Sequence, residues 1–366
     1  MDATATLRRT PLHSLHVEHG GRMVPFAGWE MPVQYRGMIT EHEHTREAAS
    51  LFDVAHMGVA TIEGEGAAQA LESVVVGAVS TIKTDRSRYT LMTNDDGGIV
   101  DDLIVTNAGP HLGAVLNAAR VDEDLAYLDA RLPDSITVTL RRDLSLIALQ
   151  GPQAVTVLGR EAPAVGELRF MQQAHIEIDG IPVTASRSGY TGEDGFELTV
   201  PAAEVDRIAR QLLATPEVEL AGLGARDSLR LEAGLCLYGS DLDEATTPVE
   251  ADLLWTIPKA RRAEGGFPGH DVIARQVAEG PARVRVGIAV DGRRMIRPGA
   301  PLEVDGEVVG QVTSGAFGPT VGAPVAMGYV AAEHREPGTA LSATERGKAL
   351  PCHVAELPFV DHRYQR

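Results

Sequence analysis

The pattern of the chain changes character near residue 280, and this break constrains folding more than any other feature. Up to about residue 275, strand-like and helix-like stretches alternate. The segment "AEGGFPGHDVIARQVAEGPAR" (263–283) then supplies a Gly/Pro-rich entry, a short helix and a Gly-Pro exit, the punctuation of a domain boundary. Beyond it lie "VRVGIAV", "PLEVDGEVVGQVTSG", "PVAMGYV" and "LPCHVAELPF". Short strands with Asp-Gly turns predict a small antiparallel barrel or sandwich of about 85 residues. We therefore expect an α+β chain, with residues 1–280 as one region and 281–366 as a C-terminal β domain. At 366 residues it is long enough for two or three self-sufficient cores.

Within the first region, "MITEHEHTREAASLFDV" (38–54) reads as a helix opened by a capping box, Thr40 with Glu43. His42 and His44, two apart, diverge on such a helix and are expected to face solvent rather than hold a metal. "VATIEG" (59–64) alternates like a half-buried strand, and "RYTLMTNDDGGIVDDLIVTN" (88–107) predicts a hairpin around Asp-Asp-Gly-Gly. "VDEDLAYLDARL" (121–132) is helical, "LSLIALQG" (144–151) a buried strand, and "AVTVLGR" the start of another helix. "IPVTASRSGYTGEDGFELTVP" (181–201) predicts a second hairpin turning between Gly189 and Gly195, followed by helices over 204–214 and 223–233.

Composition narrows the partners. With 33 basic and 51 acidic residues the net charge is −18, a field that repels nucleic acid and anionic lipid. An anionic ligand would need a locally basic pocket. Cys236 and Cys352 form no CxxC pair, so no disulfide or zinc framework is expected, and Cys236 should pack as a small hydrophobe. The opening "MDATATLRRTPLHSLH" lacks a signal-peptide apolar core, and no stretch reaches 18 apolar residues, so the expected location is cytoplasmic, without membrane contact. A phosphate loop, a dinucleotide glycine motif and a serine-hydrolase elbow are all missing.

The stretch "NDDGGIVDDLIV" (94–105) carries four carboxylates. Their spacing is wrong for an EF-hand, so no metal is expected; Asp95 and Asp96 fit turn formers that bond local amides. Asp101 and Asp102 interrupt an apolar strand and must point to opposite faces. Alternation groups Asp102 with Val100, Ile104 and Thr106, and Asp101 with Ile99, Leu103 and Val105. A carboxyl held among apolar groups has a raised pKa unless donors or cations oppose it, which makes one of the pair an acid/base or acceptor candidate. Alternation does not choose which. Arg226 and Arg230, four apart on a helix, are either a carboxylate clamp or partners for Asp227 and Glu232 on its surface. Glu197, in the returning strand of the second hairpin, is either an acceptor for a ring amide or an ordinary hairpin residue.

The order of these stretches carries further information. "RTPLHSLHVEHGGRMVPFAGWEMPVQY" (9–35), "LFDVAHMG" (51–58), "NDDGGIVDDLIV", "LNAAR" (116–120), "LIALQGP" (146–152), "SGYTGEDGFEL" (188–198), "GLGARDSLRLEAGLCLYG" (222–239) and "TSGAFGPT" (313–320) resemble the folate-dependent aminomethyltransferase family of the glycine cleavage system. The resemblance runs from Thr10 to the "PFVDHRYQ" tail.

It implies a three-domain, cloverleaf-like fold around a folate channel, with two interleaved subdomains in 1–280 and a C-terminal antiparallel β-barrel in 281–366. It implies transfer of the one-carbon unit from the aminomethyl group on lipoylated H protein to tetrahydrofolate, giving 5,10-methylenetetrahydrofolate and ammonia, with no metal. Asp102 corresponds to the family's essential aspartate. Met57, Tyr89, Asn117 and Glu197 correspond to residues around the pterin, Arg226 to the binder of the folate's anionic tail, Tyr364 to a further folate contact, and Arg294 to an arginine at the lipoyl-arm entrance. Departures from the family pattern fall at Ala55, Phe170, Met171 and Gly318; none removes Asp102, so activity is expected to survive. Two rival readings are a folate-dependent demethylase and a non-catalytic folate-binding paralogue in iron–sulfur assembly. The intact "FAGWEMP", "DVAHMG" and "GARDSLRLEAG" segments disfavour the first, and the retained Asp pair with a full-length barrel disfavours the second.

Overall fold

A computed structural model describes residues 6–345 and 347–366, so part of the leader reading, at residues 1–5, lies outside the described residues. Two open sheets and one closed barrel organise the chain. Arg86–Thr93, Ile99–Asn107, Leu112–Leu116, Gly58–Glu63 and Thr137–Leu140 form an antiparallel five-stranded sheet in that order. Gln173–Ile178, Ile181–Ser186, Gly195–Pro201, Leu144–Gln150, Ala49–Asp53 and Val218–Leu220 form the six-stranded sheet, whose last pair is parallel. The chain passes from one sheet to the other between Asp53 and Gly58 and returns before Leu144, so the sheets interleave.

The short bridge at 54–57 is anchored by Asp53. Its Oδ1 accepts the Ala55 N–H at 2.8 Å, and its Oδ2 accepts from Thr10 Oγ1 at 2.6 Å and bonds His16 Nε2 at 2.7 Å. Each sheet has its own apolar core, and Phe52, Val54, Leu146, Ala225 and Leu229 fill the seam between them with Met57, Val59 and Val115. Each fully buried Leu or Phe in these clusters contributes about 1.5–3 kcal/mol.

The expected C-terminal β domain is a closed six-stranded barrel, from Arg283–Val290 to Lys348–Ala355. Beyond Ala355 the chain leaves the barrel and crosses back: Val360 N–H donates to the Glu232 carbonyl (3.0 Å), Arg363 N–H to that of Gly192 (2.8 Å), and Phe170 N–H to that of Gln365 (2.6 Å).

Several local expectations are corrected. The predicted helix over 38–54 is a helix at Met38–Glu47 followed by the strand Ala49–Asp53. All five strand residues are buried, and a strand covered on both faces loses the alternation that distinguishes it from a helix. The Thr40–Glu43 capping box does not form, because the helix starts earlier, after Gly37, and Glu41 takes the N–H groups of Tyr35, Arg36 and Gly37 at 2.6, 2.8 and 2.9 Å. His42 is buried, bonded to Ser228 and Thr320 at 2.8 Å each, while His44 is half-buried against the carbonyls of Ala49 and Glu217. Both face neighbours rather than solvent, since this helix is covered by the helix Leu223–Glu232 and the barrel. In the Asp-Asp-Gly-Gly turn it is Asn94, not either aspartate, whose Oδ1 accepts the Asp96 and Gly98 N–H groups, at 3.0 and 2.9 Å. A Cβ on Gly98 would lie 1.8 Å from the Glu244 carbonyl, so only glycine fits that turn.

Candidate active site

The hairpin aligns Leu91 with Asp102 and Tyr89 with Ile104, so Tyr89, Leu91 and Asp102 share a face. Asp101 points the other way, as alternation requires. A bulge between Met92 and Thr93 alters the expected grouping past this point: Ile99 joins Leu91, Cys236 and Leu242, whereas Val100 joins Met92, Leu103 and Val105. One extra residue in the strand swaps both side chains to the opposite face from the one alternation assigns.

Asp101 is fully buried and Asp102 partly so. Asn117, directly after Leu112–Leu116, ties them together. Its Nδ2 lies 2.9 Å from Asp101 Oδ1, 2.9 Å from Asp102 Oδ1 and 3.0 Å from the Asp102 carbonyl. Behind Asp101, on the helix Val121–Arg131, sits Asp124, also fully buried. Among the described residues none of the three aspartates joins an ion pair. Burial raises the Asp102 pKa to about 7, with the neighbouring Asp101 charge adding and bonds from Tyr89 and Asn117 opposing. Burial likewise raises Asp101, against bonds from Asp124 and Asn117. Asp124 is driven to about 10 by burial and by Asp101, with Arg120 opposing.

The facing wall comes from the second hairpin and the helix Leu223–Glu232. Tyr190, in the hairpin turn, donates its hydroxyl to the Cys236 carbonyl, and the Arg226 guanidinium lies 4.7 Å from its ring centroid. Arg226 Nη1 is buried with no partner among the described residues, and burial lowers the pKa of the group, against the pull of Tyr190 and Glu197. Arg226 and Arg230 do not form a clamp. Arg230 is bound to Asp241 at 2.7 Å, Asp227 at 2.8 Å and Ser314 at 2.8 Å, which leaves Arg226 alone facing the site.

Glu197 is half-buried and accepts from Ser188 Oγ at 2.6 Å. Tyr364, brought by the returning tail, stacks on Phe170 with centroids 4.1 Å apart; burial, with Glu197 adding, raises its phenol to about 12. Met57 lies in the seam beneath. Arg294 stands apart, exposed in the loop after Arg283–Val290, with no hydrogen bond or ion pair among the described residues. Gly318 belongs to another place altogether, where an added Cβ would lie 2.9 Å from Glu232 Oε1.

Four further residues border this space without having been singled out from the sequence. Tyr190 lay between glycines in "SGYTGEDG", the signal of an aromatic on a turn. His56 is buried with Nδ1 unpartnered among the described residues; burial, with Arg226 adding and Asp53 opposing, lowers its pKa to about 4, so its ring is neutral. Trp255, 66% exposed, stacks on Tyr89 at 5.6 Å. Asp124 was detectable, since Asp124, Leu128 and Leu132 recur at helical spacing and put an acid on the buried stripe. An open groove of about 590 Å³ between Val121–Arg131 and Thr137–Leu140 contains none of these groups. Among the described residues no cluster of metal ligands occurs.

The arrangement therefore offers an acceptor carboxylate of high proton affinity on one wall and a desolvated, unpaired cation on the other. That suits a planar polar ligand with ring N–H groups and an anionic end.

Comparison with known proteins agrees with this architecture. A family model described as the GCVT N-terminal domain matches residues 12–261, and one described as the glycine cleavage T-protein C-terminal barrel domain matches residues 283–361. The chain is 47% identical over 370 residues to the mitochondrial aminomethyltransferase of Gallus gallus, covering 98% of this chain and 94% of that protein. It is 46% identical over 373 residues to that of Homo sapiens, covering 99% and 92%. The crystal structure of glycine cleavage system aminomethyltransferase T from Bartonella henselae matches with a TM-score of 0.94 at 41% identity, covering 99% of this chain and 100% of that one.

Proposed function

The chain belongs to the glycine cleavage T-protein family of aminomethyltransferases, and from that premise we propose that Asp102 and Arg226 bind and orient tetrahydrofolate between them. The protein is an aminomethyltransferase of the glycine cleavage system. Its one-carbon donor is proposed to be the aminomethyl group on the lipoyl arm of H protein, with 5,10-methylenetetrahydrofolate and ammonia as products. Residues 1–280 are proposed as the folate-binding part and 281–366 as the barrel part.

The observation that carries this reading is the mismatch of charge across the site: among the described residues Asp102 forms no ion pair with a cation and Arg226 none with an anion. Both fit a ligand with N–H donors at one end and carboxylates at the other. Bound tetrahydrofolate supplies the amine that accepts the one-carbon unit. Asp102 accepts a ring N–H and holds the amine in line for attack, so positioning and electrostatics supply the rate. Asn117 fixes the rotamer of Asp102. Tyr89 and Met57 line the ring, and Glu197 accepts from its amide edge. Arg226, resting on Tyr190, neutralises the anionic tail, and Tyr364 covers the ligand from the tail of the chain. Arg294 is assigned to the entrance used by the lipoyl arm, on the family resemblance alone.

No helix among the described residues is long and apolar enough to cross a membrane. The proposed compartment is the cytoplasm, in contrast to the mitochondrial relatives.

Incubation of the protein with tetrahydrofolate and aminomethylated H protein tests the reaction. Methylenetetrahydrofolate and ammonia are expected in equal amounts. Absence of product with H protein, together with turnover of a small methylated donor, would replace this reading with a demethylase.

A further inference from the structure

We propose that Asp124 is a positioning residue for the reacting carboxylate: it keeps its proton, donates it to Asp101, and thereby leaves Asp101 and Asn117 to set the orientation and charge of Asp102. The inference rests on the reading of Asp102 given above and extends it to a residue that touches no substrate.

Burial comes first. Asp101 and Asp124 are each 0% exposed, and two carboxylates that share a buried space cannot both ionise. Neither Asp124 oxygen meets a hydrogen-bond donor among the described residues. Asp101 and Asp124 shift each other's proton affinity, and two carboxyl groups can bond to each other only with a proton between them.

The partners of Asp101 decide on which acid the proton resides. Its Oδ1 accepts from Asn117 Nδ2 at 2.9 Å, and its Oδ2 lies 3.4 Å from the Asn117 backbone N–H. Both Asp101 oxygens thus act as acceptors, so the shared proton belongs to Asp124. An ionised Asp101 keeps the Asn117 amide in place, and the same Nδ2 reaches Asp102 Oδ1 at 2.9 Å.

The surrounding charges do not dissolve this arrangement. Arg120 is the cation acting on Asp124, but its Nη2 is drawn 2.9 Å from Glu244, its guanidinium lies 5.3 Å from the Tyr238 ring centroid, and its Nε is buried without a partner. Glu123 on the same helix adds negative charge. On the Asp102 side the facing groups are Tyr89 and Asn117, with Asp101 adjoining in the strand; Tyr190 and Cys236 complete the surroundings and stay neutral through burial.

Two substitutions separate this role from simple packing. Asp124→Asn retains a side-chain donor toward Asp101, while Asp124→Ala removes it. Both are compared with the wild type by thermal unfolding, by kcat and KM for tetrahydrofolate across pH, and by the infrared band of protonated carboxylic acid at about pH 9, where Asp102 is ionised and Asp124 still holds its proton.

The wild type is expected to show the band, and Asp124→Asn to lose it while keeping kcat and the acid limb of the pH profile close to wild type. Asp124→Ala is expected to lower kcat about tenfold with little change in KM, because misplacing a reacting group acts on the chemical step. It should also move the acid limb to lower pH, since Asp101 then takes up the proton itself and no longer repels charge on Asp102.

Survival of the band in Asp124→Asn would overturn the proposal, as would equal loss of kcat in both variants or an unmoved profile in Asp124→Ala. An Asp102→Asn control that retains full turnover would instead sink the reading of Asp102 and with it the positioning role. The infrared band would still report where the buried proton resides.

Discussion

Where the first region meets the barrel, Glu232 and Glu193 are buried against Arg46, His42 and Arg363; on the five-stranded sheet, Asp101 is buried with Asp124 behind it, and Asp102 adjoins Asp101 in the strand. Arg46 lies 3.0 Å from each glutamate, Arg363 lies 3.1 Å from Glu193, and Glu232 accepts the N–H groups of Thr320 and Val321 at 2.8 and 3.2 Å. Burial works to raise the Glu232 pKa, but His42, Thr320 and Arg46 outweigh it and hold the group at about 2. On the sheet none of the three carboxylates forms an ion pair among the described residues, and Asp102 rises to about 7 instead. A matched cluster gains from being closed and joins helix, barrel and tail. An unmatched one is costly in the free protein, and that cost makes sense where a ligand completes the site.

The contrast predicts opposite responses to removing charge. Asp102→Asn should lower turnover on the order of a thousandfold, as loss of a key electrostatic contact does. Its melting temperature should stay or rise, because a neutral amide is easier to bury. Asp101→Asn should be less damaging to turnover; the reverse order would mean that the wrong face has been chosen.

Glu232→Gln should behave the other way, destabilising by about 3 kcal/mol because Arg46 loses a counter-charge in a buried place. Its turnover per folded molecule should remain near wild type, read by denaturant titration alongside activity.

The pH dependence of stability follows with opposite signs. Glu232, depressed from 4.5 to about 2, contributes roughly 3 kcal/mol that is present above its ordinary value and lost as pH falls through the native one. Asp102, raised from 3.8 to about 7, favours the native state below its ordinary value, and that contribution disappears as pH rises through about 7. Unfolding curves from acid to mild alkali should show both windows. Asp102→Asn should flatten the upper window, and Glu232→Gln the lower.

The smallest effect is expected at Arg226. Arg226→Ala should weaken tetrahydrofolate binding about tenfold, with stability unchanged or slightly improved as an unpaired buried cation leaves. Equal affinity would detach Arg226 from the anionic tail.

Much of this contrast was already present as pattern. The Asp-Asp-Gly-Gly hairpin, the opposed faces of Asp101 and Asp102 and the change to a β domain follow from local periodicity and turn chemistry. What stayed hidden depends on distant partners. Ala49–Asp53 is covered on both faces and so carries no alternation. His42 is buried only because Ser228 and Thr320 meet it, 186 and 278 positions away. The bulge beside Met92 has no signature in composition. Arg226 and Arg230 read as equivalent on the helix until Asp241, across a loop, takes one of them. The raised proton affinity of Asp102 comes from Asp101 and a burying fold against the opposing bonds of Tyr89 and Asn117, and no single stretch contains all of these.

The carboxylate that no ion pair holds is proposed to serve the reaction rather than the fold. Asp102→Asn, measured for melting temperature and for methylenetetrahydrofolate formation in the same preparation, tests it most directly. An unchanged or higher melting temperature is expected, with turnover reduced about a thousandfold. A clear fall in melting temperature with turnover per folded molecule preserved would contradict it.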